Sequence, residues 1–376
     1  MARRGAGRLG RVLVAGVGDV GSATLHDLAC EPTVGAILAL DLDGGRARQV
    51  SSARYGAQQG GRFPRLDFVR EDLRDVRRVA ELLREFEPDV VLNATTLLSW
   101  WVVKEQLSEE LRTRLAPAGF GPWLPVHLTL TWKLMQAVRA SGVHAHVVNA
   151  SYPDVVNPVL ARAALAPTVG IGNVDLIVLA VREAAADLLK LPSHRLTCLL
   201  VAHHAHVFPL FGEGRMLAPY YLRVLAGERD LTAKLTPDRL FRRVAELHAI
   251  PTDRSLARPT AASARKTILA LVNDTDMLTH AAGPLGLPGG YPVRLGAAGP
   301  SLALPHGLTR AAAVRLNERA MVHDGIAGIG PDGTVRFAPR SVAIMREVLG
   351  YHCPALRLRE SERRAEELVA RVERLR

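Results

Sequence analysis

Lysine, cysteine and aromatic residues are all scarce in this chain of 376 residues, and each shortage removes a class of function. The three cysteines, Cys30, Cys198 and Cys353, form neither a disulfide framework pattern nor a Cys-x-x-Cys metal site. A reducing, cytoplasmic setting is expected. Aromatic residues are 5% of the chain, too few for a platform on which bases stack. Only five of the 48 basic residues are lysines, so 43 arginines carry the net charge of +11. These are interleaved with acids, as in Arg70-Glu-Asp-Leu-Arg74, the pattern of solvated helix faces and not of a basic patch. No nucleic-acid partner is expected. No apolar run reaches the roughly 18 residues a membrane span requires. The apolar stretch after Arg11 is broken by glycines instead of ending in a cleavage site, so neither a membrane partner nor export is expected.

What is present is an ordinary soluble globular composition. At about 150 residues per domain the length predicts two domains, and 48% hydrophobic with 23% charged residues is enough to bury a sizeable core. Residues 12–15 form a continuous apolar run ending at Gly16, as a strand covered on both faces would. Helix-like and strand-like segments then alternate through 22–29, 34–40, 72–86, 89–94, 128–141 and 143–149, which predicts βαβ units and a doubly wound parallel sheet of the Rossmann type. A Trp- and Pro-rich stretch near 98–126, too long for an ordinary connection, reads as a lid or binding insertion. Beyond residue 158 the pattern shifts to an α+β substrate domain over 159–350, with a helix at 175–189, a strand at 196–201 and a hairpin near 290–295. A charged, solvated helix is expected within 351–376, with Leu368, Val369, Val372 and Leu375 at helical spacing.

The sharpest local motif is Gly16-Val-Gly18-Asp-Val-Gly21, placed between a strand and a helix. Gly16 permits the tight turn, Gly18 lets backbone approach a pyrophosphate, and Gly21 allows close helix packing. The free N–H groups at the helix start, around Asp19 and Val20, receive the anion. Asp41 lies 25 residues after the first glycine at the end of the second strand, where a carboxylate accepts from ribose hydroxyls and repels a 2′-phosphate. NAD is therefore the expected cofactor, with NADP left open by Arg46 and Arg48 nearby. Asn93 and Asn149, at later strand ends, are candidates to contact the cofactor.

A short-chain reductase would need a Tyr followed four residues later by a Lys, and none of the six tyrosines has one. A better constellation lies further on. Asn173-Val-Asp175 opens a helix, and 28 residues after Asp175 a strand delivers Ala202-His203-His204-Ala-His206. With the glycine turn, Asp41, the Asn149 to Pro153 segment, Pro209 and Arg258-Pro-Thr260, these elements occur in an order that resembles the lactate and malate dehydrogenase superfamily. The resemblance implies that His203 carries a proton to and from a carbinol oxygen, with Asp175 fixing its tautomer. His204 is the alternative proton carrier. His204 and His206 share a face of an extended strand, but no Cys or carboxylate stands at ligand spacing, so no metal is expected.

One departure from the family is sharp. The Arg that grips the substrate carboxylate one helical turn after the Asp is here Val178. Arg182, two turns after Asp175, and Thr260 are candidate substrate contacts, while Lys104, Arg112 and Arg114 are candidates for the family's mobile-loop Arg. The expected activity is hydride transfer between nicotinamide and a secondary alcohol or ketone bulkier or less acidic than lactate or malate. The resemblance also implies a homo-oligomer. A non-catalytic dinucleotide-binding sensor or scaffold is the alternative.

Overall fold

The computed structural model describes residues 8–248 and 254–375. Six strands form the parallel core: β1 (Gly10–Ala15), β2 (Val34–Asp41), β3 (Arg65–Arg70), β4 (Val90–Asn93), β5 (His146–Asn149) and β6 (Val169–Gly170). Their order is β3-β2-β1-β4-β5-β6, so the winding reverses between β1 and β4 and leaves a crevice at their C-terminal ends. Apolar side chains alternate strictly between the two faces. Val12, Val14, Ile37, Ala39 and Leu92 point to one core, Leu13, Ala15, Leu38, Leu40 and Val91 to the other. Helices Asp19–Ala29, Ala47–Gln59 and Ala257–Asn273 contribute to the first core, and Val76–Phe86, Leu124–Ser141 and Ser361–Glu373 to the second. Coverage on both sides is why these strands carry no polar alternation.

The second half adds β7 (Leu196–Val201), β8 (Tyr221–Ala226) and β9 (Arg229–Asp230) as a small antiparallel sheet. The next three strands, β10 (Met277–Ala282), β11 (Gly290–Gly296) and β12 (Gly299–Leu302), instead extend the large sheet to nine strands, β10 pairing antiparallel with β6. A third sheet holds β13 (Ile326–Ile329), β14 (Val335–Phe337) and β15 (Ala355–Leu356). The doubly wound sheet read from the sequence is present, followed by the mixed region. Position 158 falls inside helix Pro153–Ala161, and the main sheet runs on past it.

Two segments are more tightly built than their composition implies. The final helix Ser361–Glu373 lays Ala365, Leu368 and Val372 into the core beneath Leu124–Ser141, and Lys133 meets Glu362 at 3.1 Å. The 98–126 insertion folds into short helices Trp100–Gln106 and Glu109–Leu115 followed by tight turns through Gly119-Phe-Gly121. Among the described residues no helix is long and apolar enough to cross a membrane.

Candidate active site

A cavity of about 580 Å³ opens at the β1/β4 reversal, and its walls run from the glycine turn to the insertion. Gly16, Gly18, Asp19, Val20 and Asp41 line one end; Trp100, Leu130, His127 and Ser151 line the other. The three glycines divide as the motif requires. Gly16 has φ +89°, and a Cβ there would sit 2.7 Å from the Ala94 carbonyl oxygen. A Cβ on Gly21 would overlap the Gly16 carbonyl oxygen. At Gly18 a Cβ would meet nothing, so the backbone there faces open space. No side chain caps helix Asp19–Ala29, which leaves its first N–H groups to the cavity. Asp41 is oriented from two sides, Oδ2 accepting from Val17 N–H of the glycine turn at 2.7 Å and Oδ1 from Asp43 N–H of its own loop at 2.9 Å.

Behind the far end lies a buried histidine and carboxylate cluster. His204 and Asp324 approach at 2.8 Å between Nδ1 and Oδ2, and the Tyr152 hydroxyl donates to the same oxygen at 2.6 Å. Phe120 N–H donates to Oδ1 of Asp324 at 3.2 Å. Gly119, at φ +74°, makes that approach close: a Cβ on it would lie 2.5 Å from the Asp324 carbonyl carbon. Tyr152 adopts the left-handed backbone (φ 47°) just before helix Pro153–Ala161. Burial opposes charge on His204, but the Asp324 carboxylate and its hydrogen bond prevail and hold the imidazole above its ordinary value. Burial would also raise the Asp324 carboxyl; the His204 charge and bond, with His203 and Tyr152, hold it well below the usual range. Nδ1–H of His204 therefore donates to the carboxylate, and Nε2 is the ring atom left free to exchange a proton.

His203 is differently placed. Its Nδ1 lies 3.8 Å from Asp324 but accepts from Ala205 N–H at 3.2 Å, so that nitrogen carries no proton and the approach is not an ion pair. Its Nε2 is sealed and unpartnered, and burial lowers the ring's pKa despite Asp154 and Asp324 nearby. Asp154, fully buried, accepts from His204 N–H at 2.9 Å and from the Asn173 amide.

Asp175 is not brought to His203. Its carboxylate takes Lys266 Nζ at 2.5 Å and Ser263 Oγ at 2.6 Å, between helices Val174–Leu189 and Ala257–Asn273. Asn93 and Asn149 are wholly buried and bond each other at 3.0 Å; Asn93 also reaches Thr131 and Asn149 reaches Asn157. They brace the strand ends beneath the cavity. Thr260 spends its hydroxyl on the Leu256 carbonyl, Arg182 has a sealed Nε without a partner, and Val178 is buried in an apolar cluster. Arg114 pairs with Glu347 at 2.9 Å. Among the described residues no three His, Cys, Asp or Glu side chains converge as metal ligands.

Asp324, Tyr152, Phe120 and the pair His127 and Ser151 are the residues that sequence reasoning missed. Asp324-Gly325 reads locally as a turn after a helix, and nothing in its spacing ties it to a histidine 120 residues earlier. Two closely spaced glycines around Phe120 were the available signal for a close approach.

No protein-family model matches the chain, and no curated protein matches it by sequence. Solved structures do match by fold. Lactate dehydrogenase from Eimeria maxima with NADH and oxamate superposes with a TM-score of 0.58 at 13% identity, over 85% of this chain and 93% of that one. The minor L-lactate dehydrogenase of Enterococcus mundtii gives 0.57 at 14%, over 84% and 96%. Malate dehydrogenase from Plasmodium falciparum gives 0.56 at 13%, over 84% and 97%. The chain thus has the fold of lactate and malate dehydrogenases, at 13–14% sequence identity to these three.

Proposed function

We propose that the protein is an NAD-dependent oxidoreductase that moves a hydride between nicotinamide and a secondary alcohol or its ketone. The observation that carries this reading is the couple of His204 with Asp324, packed against Phe120, the ring that also packs against His127 in the wall of the cavity that begins at the glycine turn. The residues fit such a cofactor. The open backbone at Gly18 and the uncapped helix start suit a pyrophosphate, and each Asp41 oxygen keeps a lone pair for a ribose hydroxyl. Arg46 and Arg74, the cations nearest that end, are paired with Asp43 at 3.5 Å and Asp72 at 3.0 Å, so NAD is favoured over NADP. Comparable folds bind NADH and oxamate in the Eimeria enzyme.

Bound nicotinamide supplies the hydride acceptor or donor. The chain supplies the proton path. In alcohol oxidation, neutral His204 takes the hydroxyl proton at Nε2, and the imidazolium that results is stabilised through Nδ1–H by Asp324. Tyr152 and Phe120 N–H hold that carboxylate in place, and Phe120 and Phe208 pack against the imidazole, with Trp100 packing on both of them. His204 takes this role in preference to His203, whose free nitrogen is sealed. A substrate bulkier or less acidic than lactate or malate belongs to the same reading, since Val178 stands where a gripping Arg would be. So does a small-molecule partner for each protomer of a homo-oligomer, which light scattering tests.

Absorbance at the NADH band with a panel of keto compounds tests the proposal, with NADPH in parallel. Turnover with NADH that falls about a thousandfold in His204→Asn is expected. Unchanged turnover in that variant sinks the assignment. Bound NADH that no compound oxidises leaves the dinucleotide-binding sensor as the function.

A further inference from the structure

His127 and Ser151 line the inner end of the cavity and are joined to each other, Nδ1 to Oγ at 2.9 Å. Among the described residues the Ser151 hydroxyl has no acceptor besides Nδ1; we assign it as the donor to Nδ1, which puts the ring's remaining hydrogen on Nε2. Among the described residues that Nε2 has no hydrogen-bond partner, and it is not one of the sealed polar atoms. The ring packs against Phe120 at 5.1 Å, and Phe120 against His204 at 4.8 Å, so His127 and the proton-exchanging histidine flank one aromatic wedge. No carboxylate contacts His127. Burial first, and the neighbouring His204 charge second, push its pKa down to about 3. The result is an uncharged ring in the cavity wall.

The charges around the cavity complete the argument. Of its lining arginines, Arg46 and Arg74 sit at the Asp41 end, each beside an acid, and Arg254 is held by both oxygens of Glu105 at 2.8 Å. Thr96, Leu97, Trp100, Leu130 and Ser151, all uncharged, line the same cavity as His127. An ionised carboxylate pressed into such surroundings would be desolvated without a counter-charge, whereas a neutral carbonyl or hydroxyl oxygen is satisfied by a single N–H.

Resting on the oxidoreductase reading, we propose that His127, oriented by Ser151, is a substrate-binding residue that donates Nε2–H to a neutral oxygen beside the reacting carbon. The substrate class is then an ester, amide or hydroxy derivative of a ketone or secondary alcohol, not a free 2-oxo or 2-hydroxy acid. His127 selects the substrate, and His204 exchanges the proton.

Paired substrates test this. Each keto acid is compared with its methyl ester and amide in NADH oxidation, and oxamate with its methyl ester in calorimetric titration of the NADH-bound protein. The wild type is expected to prefer the neutral member at least tenfold in kcat/KM and in affinity. His127→Leu should raise KM for the neutral member about tenfold, the worth of one hydrogen bond, with kcat and its pH profile little changed. His127→Gln, which restores an N–H donor, should recover most of the loss, and Ser151→Ala should lose part of it. Preference for the acid in the wild type overturns the proposal. So does an equal loss for acid and ester in His127→Leu. If no compound is reduced, the oxidoreductase reading fails, and the titration still decides whether the neutral analogue is the one that His127 holds.

Discussion

Two buried carboxylates in this molecule are built from similar parts and are placed to do opposite things. Asp175 sits in the first turn of helix Val174–Leu189, where the helix dipole already favours an anion, and faces the Lys266 ammonium and the Ser263 hydroxyl. Ser263 in turn accepts from Gly172 N–H at 3.1 Å, so the cluster ties two helices and a loop together. Asp324 follows helix Arg310–Met321 and faces an imidazole, a phenol and one backbone N–H. An ammonium has no lone pair and relays nothing while charged; an imidazole accepts a proton on one nitrogen because the other is held. Under the proposed function the partner, and not the acid, decides which carboxylate clamps and which supports chemistry.

The largest effect that would break this comparison is on turnover. Asp324→Asn should lower kcat about a thousandfold, because the amide can present N–H to Nδ1 and reverse the tautomer of His204. In Asp175→Asn kcat should stay within a few fold for the protein that remains folded. Steady-state rates corrected for folded fraction by near-ultraviolet circular dichroism decide it. Comparable rate losses in both variants would erase the distinction.

Stability should sort the pair the other way. Asp175→Ala strands Lys266 against a buried hydroxyl, and with the Lys266 side chain about a quarter exposed the cost is about 3 kcal/mol. Asp175→Ala combined with Lys266→Met should recover much of that, since no unpaired charge remains. Urea denaturation of the single and double variants measures the coupling. Additive losses would mean that the ion pair holds nothing together.

How far each cluster is legible in the sequence follows from its range. The glycine turn, Asp41, strand β7 and the helix opened by Asn173 can be read because each is a local pattern, a period or a turn chemistry within a few tens of residues. The position of His203 and His204 at the end of β7 is legible for the same reason. Their partner is not. Asp175 is the nearest acid in a familiar order, yet Lys266 and Ser263, both on a helix some 90 residues downstream, take it. Asp324 meets His204 across 120 residues, and Gly119 and Gly121 let the insertion close on the 324–325 turn beside it, contacts that hydrophobic periodicity does not encode. The extension of the sheet by β10 to β12 is hidden likewise, since pairing with β6 joins segments more than 100 residues apart.

The smallest effect is the most discriminating, because it sets one histidine of each cluster against the other. His204 touches its carboxylate and has a raised pKa, so it contributes stability that is complete below the unfolded value of about 6.5 and is lost as pH rises through the folded value. His280 lies near Asp175 without contact; its Nε2 accepts from Leu200 N–H at 3.0 Å. Burial, helped by Lys266 and Arg182 against Asp175, lowers its pKa to about 4. The unfolded chain then binds a proton that the folded one refuses, so stability falls as pH drops from 6.5 towards 4. His127 at about 3 and His206 at about 4 act in the same sense. His203 and His26, also lowered by burial, add to that sense, so the stability profile should have an acid limb fed by five histidines and a shallower alkaline limb fed by His204, each proton contributing a slope of about 1.4 kcal/mol per pH unit at most. Gln at position 280 can still accept from Leu200 N–H, so His280→Gln should remove one proton from the acid limb and leave the alkaline limb intact. His204→Gln should flatten the alkaline limb alone. Urea midpoints taken between pH 4 and 9 would show the two limbs moving independently, and a substitution that shifts both together would mean that the two clusters titrate as one.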